Sequence, residues 1–278
     1  MIIQILVWLN TAANAIASLA LAPLAVLPGW LSATLVAVVT GGLMLLAFKV
    51  TSHQAAIRRV RSQIKANLLA LSLFQDSVAV SLRSQTRLLL AAGRLLLLSL
   101  VPLLVMLVPM CLLLAQLALW YQARPLHVGE QAVVTLRLAD DGHGRLPEVR
   151  LVPSPAFEMT VGPVRVPAKS LVCWNIRAQH PGHHPLAFET DGQTCVKELA
   201  VGSGFMPVSL VRPPGSWEQV LLHPREAPLA DDSVIRAIQI DYPSRQSWTA
   251  GSNSWLVYWF AISMLAALLL RPVLKVHL

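Results

Sequence analysis

Two long stretches of this chain carry no charged side chain: residues 1–48 and residues 95–121. Each contains an apolar run of about the 20 residues that a helix needs to cross the hydrocarbon core of a bilayer. A third apolar run, 253–271, opens with aromatic residues and closes at Arg271. Only 13% of the chain is charged, whereas a soluble domain has about 25%. The sequence therefore predicts an integral membrane α-helical protein with spans at 29–49, 95–121 and 253–271.

The cations are concentrated between the first two spans. From residue 49 to residue 94 there are eight Lys and Arg side chains and one acid, Asp76. Because cytoplasmic loops carry an excess of Lys and Arg, this block predicts a cytoplasmic basic helical hairpin over 50–94. The nearly balanced region 122–252 is then extracytoplasmic, and the tail 272–278 is cytoplasmic. The predicted location is the cell (inner) membrane, crossed several times.

The N-terminal segment 1–28 leaves two alternatives open. It is apolar enough to span, yet Asn10, Asn14 and Ser18 recur every four residues and form a polar stripe. Such a stripe is typical of a helix in the membrane interface, or of one whose polar face packs against another helix. An amphipathic or re-entrant helix in the outer leaflet is preferred over a fourth span.

The predicted hairpin consists of two helices, and the second continues into the span 95–121. The first has an apolar stripe at helical spacing: Ile57, Val60, Ile64, Leu68 and Leu71. The candidate residues for contact with clients or lipids are the cations of both helices: Arg58, Arg59, Arg61, Lys65, Arg83, Arg87 and Arg94. They either contact an anionic partner, such as a nascent chain or a ribosome, or anchor the topology by contacting anionic lipid head groups.

An extracytoplasmic N-terminal helix, followed by a span that ends LMLLAFKVTSHQAAIRRVRSQIKANL, resembles the Oxa/YidC insertase superfamily and its small archaeal and endoplasmic-reticulum relatives. The resemblance covers 33–120 and the last span. It implies a first span that runs outside to inside, a cytosolic basic hairpin, two further spans and a role in membrane-protein insertion. The chain departs from the family in having a whole domain between its second and third spans. It also has no clear counterpart, within 30–48, of the intramembrane Arg of YidC.

The region 122–212 alternates short apolar runs of period two with Gly, Pro and Asp turns. The predicted strands are 131–139, 148–152, 157–161, 170–178, 185–190, 194–202 and 206–211. About seven short strands at this spacing predict an extracytoplasmic immunoglobulin-like β-sandwich, with Trp174 as its core aromatic. The connector 213–252 can add one strand at 233–242.

The remaining residues suggest little chemistry. Cys173 and Cys195 are candidates for a disulfide because both lie on strands in the predicted oxidising compartment. His180, His183 and His184 surround a Pro-Gly turn without a carboxylate or Cys that completes a metal site. We find no catalytic or cofactor-binding motif and no nucleic-acid recognition module, and therefore expect neither an enzyme, a cofactor nor a metal.

Two functions are consistent with these observations. The first is an insertase-like factor for membrane-protein biogenesis, which receives hydrophobic clients through the cytoplasmic hairpin. The second is a structural or interaction subunit of a cell-envelope complex, whose β-sandwich binds a protein partner. A polar groove between the spans would favour the first, and a tightly packed apolar bundle would favour the second.

Overall fold

The computed structural model of the chain describes residues 2–52, 54–73, 78–139, 146–190, 192–230, 232–246 and 254–274. The chain divides into two compact units. Unit 1 comprises Met1–Ala33 and Cys111–Val257, and unit 2 comprises Thr34–Met110 and Tyr258–Leu278.

The α-helices of the described residues are α1 (Ile2–Leu21), α2 (Gly29–Thr51), α3 (Gln54–Leu73), α4 (Val78–Tyr121), α5 (Trp217–Leu222) and α6 (Ser254–Leu274). The prediction that the second hairpin helix continues into the following span is confirmed by the 44 residues of α4. Pro102 and Pro109 lie inside this helix. The predicted break between the two hairpin helices, at 74–77, lies outside the described residues.

Four helical segments of the described chain are long and apolar enough to cross a membrane: Ile3–Val26, Gly29–Thr51, Gln85–Tyr121 and Ser254–Leu274. They contain the three predicted spans and the predicted N-terminal helix. The third begins ten residues before the predicted span 95–121, because the first apolar turns of α4 join that span without interruption.

Unit 1 contains two antiparallel β-sheets, with strand orders β3-β4-β1-β8-β7 and β2-β5-β6. The strands are β1 (Gln131–Leu138), β2 (Val149–Leu151), β3 (Phe157–Val166), β4 (Leu171–Ala178), β5 (Gly182–Thr190), β6 (Gln193–Val201), β7 (Val211–Arg212) and β8 (Ile235–Ile240). The predicted strand 206–211 is wrong except at its end, because only Val211 belongs to β7.

The buried faces of both sheets contribute to one hydrophobic core. The prediction that Trp174 lies in that core is confirmed, because only 2% of it is exposed. Its ring centroid lies 5.6 Å from that of Phe188 on β5. Alternation along β4 therefore has the predicted inward register.

The predicted boundary of the β domain at residue 212 is wrong. Strand β8 lies between β1 and β7, and its Ile235, Ile238 and Ile240 are fully buried in the core. The optional strand of the predicted connector is thus an interior strand of the larger sheet. We use the name β domain for residues 122–246.

The possible disulfide between Cys173 and Cys195 is not formed in this structure, since both cysteines are free. Because Trp174 points into the core, its neighbour Cys173 lies on the outer face of the larger sheet, where its sulfur is 3.7 Å from the Thr135 hydroxyl. Cys195 instead lies in the core of the smaller sheet, and its sulfur is 3.8 Å from the Ser233 hydroxyl.

Candidate functional site

The candidate functional site is a cleft between the two hairpin helices in unit 2, with a volume of about 640 Å³. We call it the hairpin cleft, and its lining residues are Gln63, Ala66, Asn67, Arg87, Leu90, Ala91 and Arg94. Arg87 and Arg94 are seven residues apart on α4, which places them two turns apart on nearly the same face. Gln63 and Asn67 are four residues apart on α3, and therefore also share one face.

The hairpin cleft can bind an anion. It combines two guanidinium groups with two side-chain amides, and the only acid between Lys49 and Arg94 in the sequence is Asp76. A guanidinium presents several N–H donors in a planar fork that fits a carboxylate or a phosphate. Its lining thus favours a ligand that carries one of these groups.

The structure brings only some of the predicted contact residues together. Arg87 and Arg94 line the hairpin cleft, whereas the cations of α3 are not among its lining residues. Arg58, Arg59 and Lys65 are exposed, and Arg61 is half-buried. The side chain of Arg83 lies outside the described residues.

The predicted apolar stripe of α3 is covered only in part. Ile57 and Val60 are buried, Ile64 is half-buried, and Leu68 is 52% exposed. The side chain of Leu71 is not among those described. The end of α3 that lies beside the hairpin cleft therefore keeps an exposed apolar residue.

Beyond the cleft, α4 presents a long uncovered apolar surface. Its exposed side chains in unit 2 that do not line the cleft include Leu96, Leu97, Leu100, Leu103, Leu104 and Leu107. Uncovered apolar surface of this extent is typical of a membrane-facing or partner-binding surface.

In contrast to the exposed surface of α4, helices α2 and α6 are in close contact and are joined by a hydrogen bond. A Cβ added at Gly41 would lie 2.5 Å from the main-chain oxygen of Ser263, so the two backbones are in close contact. The indole N–H of the buried Trp259 donates to the Thr40 hydroxyl at 2.9 Å. Trp259, one of the aromatic residues at the start of the third apolar run, has its side chain inside unit 2. This pair of helices therefore resembles a packed membrane-helix pair rather than an open polar groove.

Sequence reasoning missed a charged network in the β domain. Lys197 on β6 is fully buried and points toward the core side of its sheet. Its ammonium group donates to Glu226 and to the main-chain oxygen of Ser209, the latter at 2.7 Å. Burial lowers the pKa of Lys197, and the adjacent carboxylate of Glu226 opposes that effect.

A second carboxylate, Glu198, lies beside this pair. It accepts two hydrogen bonds from Arg225, at 3.0 and 2.7 Å, and it contacts the ring of His183. Burial alone would raise the pKa of Glu198, but the hydrogen bonds from His183 and Arg225 lower it to about 2. Strand β5 begins at Gly182, within the Pro-Gly turn noted in the sequence, and it places the ring of His183 against the Glu198 carboxylate.

These residues were missed because their partners are distant in sequence. Lys197 and Glu226 are 29 residues apart, and nothing in a single sequence pairs them. The only available signal was a Lys at an inward position of an alternating strand. Among the described residues, no group of three or more His, Cys, Asp or Glu side chains could hold a metal ion.

Comparison of the chain with protein-family models, with curated proteins and with solved structures finds no match in any of the three.

Proposed function

We propose that this chain is an integral membrane protein that acts as an insertase-like factor in membrane-protein biogenesis. In this proposal α2, α4 and α6 span the cell membrane, the α3–α4 hairpin is cytoplasmic, and the β domain is an extracytoplasmic immunoglobulin-like β-sandwich. The single observation that carries it is the hairpin cleft, which contains two arginines and adjoins the uncovered apolar surface of α4.

The two surfaces match the two parts of a hydrophobic client. A client segment that leaves the cytosol carries apolar side chains and, at its flanks, polar or acidic groups. The apolar part would contact the exposed leucines of α4, while an acidic flank would pair with Arg87 and Arg94. Transfer of apolar surface out of water supplies about 25 cal/mol per Å², so the proposed step needs no cofactor.

The layout of the helices supports the same proposal. A basic hairpin between two apolar helices, followed by a last apolar helix with Arg271 in its final turn, is consistent with the helix order that the resemblance to the Oxa/YidC superfamily implies. The close α2–α6 contact is not the polar groove that would favour this function, and the proposal therefore assigns the client path to the exposed surface of α4.

A photo-crosslinker placed at Leu90 or Asn67 of the full-length protein in cells tests the proposal directly. We expect adducts with many different newly synthesised membrane proteins, which pulse-labelling identifies. A crosslinker at Ser62, exposed on α3 but not a lining residue of the cleft, is the positional control and should give several-fold fewer adducts.

The double variant Arg87→Gln, Arg94→Gln should reduce the adducts at Leu90 several-fold. The matched control is Arg150→Gln, Arg165→Gln, which neutralises two exposed arginines of the β domain and should leave them unchanged. Capture of one fixed protein, or adducts that do not respond to the cleft variant, would contradict the proposal.

One observation favours the second candidate function, a subunit of an envelope complex. Strand β3 is an edge strand, and it exposes Met159, Val161 and Val164. Exposed edge strands are templates for pairing with another chain. A crosslinker at Val161 that captures one stoichiometric partner, together with no nascent-chain adducts at Leu90, would support this function instead.

A further inference from the structure

Helix α1 has two different sides. Asn10 and Asn14 on one side contact the protein, and the other side exposes apolar side chains. Its exposed apolar side chains are Ile5, Trp8, Ile16 and Leu19, with exposed fractions of 53%, 71%, 68% and 82%. At 100° per residue these four fall on one side of the helix. We call this surface the α1 apolar face.

The opposite side of α1 is hydrogen-bonded, through side-chain amides, to other parts of unit 1. Asn10 is buried and donates to the main-chain oxygen of Val220 at 2.7 Å, and Asn14 donates to that of Pro224 at 2.8 Å. Both acceptors lie in or just after α5, where the last carbonyl groups of a helix have no partner within it. The amide oxygen of Asn14 also accepts a hydrogen bond from Gln116 of α4 at 2.7 Å. Two members of the polar stripe, Asn10 and Asn14, therefore join α1 to the β domain and to α4, whereas the third, Ser18, is exposed and donates to the main-chain oxygen of Ala15.

The position of Gln116 along α4 indicates the depth in the membrane at which this contact would lie. In the sequence, 21 uncharged residues separate Arg94 from Gln116. This is about the number that a helix needs to cross the hydrocarbon core. After Gln116, the β domain already contacts α4, since the Val208 amide donates to the main-chain oxygen of Leu119 at 2.8 Å. Gln116 and the neighbouring Asn14 thus belong to the boundary between membrane and β domain.

A membrane-spanning α1 conflicts with the charges around α5. The middle of a spanning α1 would lie near the bilayer centre and would bring Val220 there with Asn10. Arg225 and Glu198 would then also lie near the bilayer centre, because Arg225 is the residue after Pro224 and pairs with Glu198. About a quarter of each of these two charged side chains is exposed. Charged groups in contact with lipid at this depth are costly.

We propose that α1 lies in the plane of the extracytoplasmic membrane interface, with the α1 apolar face among the lipid acyl chains and the β domain hydrogen-bonded to its other side. The β domain then rests directly on the bilayer through α1 and α5. The absence of any charged residue from Met1 to Phe48 matches acyl chains as the occupant of this face. This inference rests on the membrane placement in the proposed function.

A scan of membrane-immersion depth along α1 tests this proposal. Single nitroxide labels at positions 5, 8, 12, 16 and 19 of the full-length protein, in phosphatidylcholine–phosphatidylglycerol nanodiscs, report immersion through their relative accessibility to oxygen and to a water-soluble nickel chelate. We expect positions 5, 8, 16 and 19 to share one shallow depth, with less than about a twofold spread in the accessibility ratio. Position 6, on the half-buried side, serves as the reference for a label shielded by protein.

Labels on α2 at positions 35, 39, 43 and 46, whose native side chains are exposed, are the internal control. Their depth should pass through the bilayer centre. If α2 shows that profile and α1 shows it too, α1 spans and the inference is overturned while the membrane placement stands. If the α1 labels are accessible to the nickel chelate throughout, the face binds no lipid and the inference also fails. If α2 does not cross, the membrane placement in the proposed function fails.

Discussion

The two units use their charged side chains in opposite ways. Unit 1 contains twelve Lys and Arg with thirteen Asp and Glu, whereas unit 2 contains ten Lys and Arg with one acid, Asp76. In unit 1, cations contact carboxylates, as in the pairs Arg124–Glu130 and Arg225–Glu198. Unit 2 has almost no acidic side chains to offer. The cations of unit 1 thus find carboxylates within their own unit, whereas the exposed Arg58, Arg59 and Lys65 of unit 2 can contact anions from outside the chain.

The largest expected effect of a charge change lies at the buried pair of unit 1. Glu226→Gln leaves the fully buried Lys197 without its anionic partner, and we expect a loss of about 3–5 kcal/mol in the free energy of unfolding. Denaturation of the purified protein, followed by tryptophan fluorescence, measures it. The control Glu148→Gln breaks the exposed pair with Arg150 and should have no measurable effect. Equal losses in both variants would mean that burial of the pair does not matter.

Acidification should have the next largest effect on the free energy of unfolding, through protonation of Glu198. Its pKa is lowered to about 2 in the folded protein from about 4.5 in the unfolded chain, so the ionised form is the one that stabilises. This stabilisation is complete above pH 4.5 and is lost as the pH falls from 4.5 toward 2. A difference of 2.5 pKa units corresponds to at most about 3 kcal/mol.

Denaturation curves between pH 2.5 and 6 for the wild type and for Glu198→Gln test this expectation. The variant should lose stability at neutral pH and show a flatter dependence on pH below 4.5. A variant with the same pH dependence as the wild type would exclude a contribution from Glu198 and leave Glu130, whose pKa the hydrogen bond from Arg124 also lowers to about 2.

Substitution of the two asparagines of α1 should have a smaller effect on the free energy of unfolding than loss of either charged contact above. Asn14→Leu removes hydrogen bonds to both Pro224 and Gln116, and we expect a cost of about 1–2 kcal/mol. Asn10→Leu removes one hydrogen bond, but it also removes a buried amide oxygen that has no partner among the described atoms. We therefore expect a smaller cost for Asn10→Leu. Thermal unfolding in nanodiscs compares the two, and the reverse order would contradict the described contacts.

The smallest effect on stability should come from the cations of unit 2. Changing Arg58, Arg59, Arg61 and Lys65 to Glu should alter the unfolding free energy by less than about 0.5 kcal/mol, as for ordinary surface substitutions. Because these cations do not line the hairpin cleft, the change should reduce client capture, but by less than Arg87→Gln, Arg94→Gln does. Because these charges also direct orientation, the topology of the same variant must be measured. Unchanged capture with unchanged orientation would identify these residues as lipid anchors.

The parts of the fold that follow from local patterns were predictable. Uncharged runs located the apolar helices, and alternation in SLVCWNIRA located Trp174 in the core. Helix α5 was missed because its six residues are too few to show a helical period.

The missed part of the site depends on long-range pairing. Asn10 and its acceptor Val220 are 210 residues apart, and β8 reaches its place between β1 and β7 only after a long excursion of the chain. The polar stripe of α1 was visible in the sequence, but its partner was not. The cations of α3 and α4 were likewise visible, whereas the sharing of one cleft by Arg87 and Arg94 with Asn67 required the fold.

In the proposed function, the cationic hairpin and the β domain lie on opposite sides of the membrane. Single cysteines at Ser62 and at Gln193, in a chain whose Cys111, Cys173 and Cys195 are replaced by alanine, can be probed in intact cells with a membrane-impermeant maleimide. We expect labelling at position 193 from outside, and labelling at position 62 only after the membrane is permeabilised. Labelling of both positions from the same side would contradict the proposed architecture and the function that depends on it.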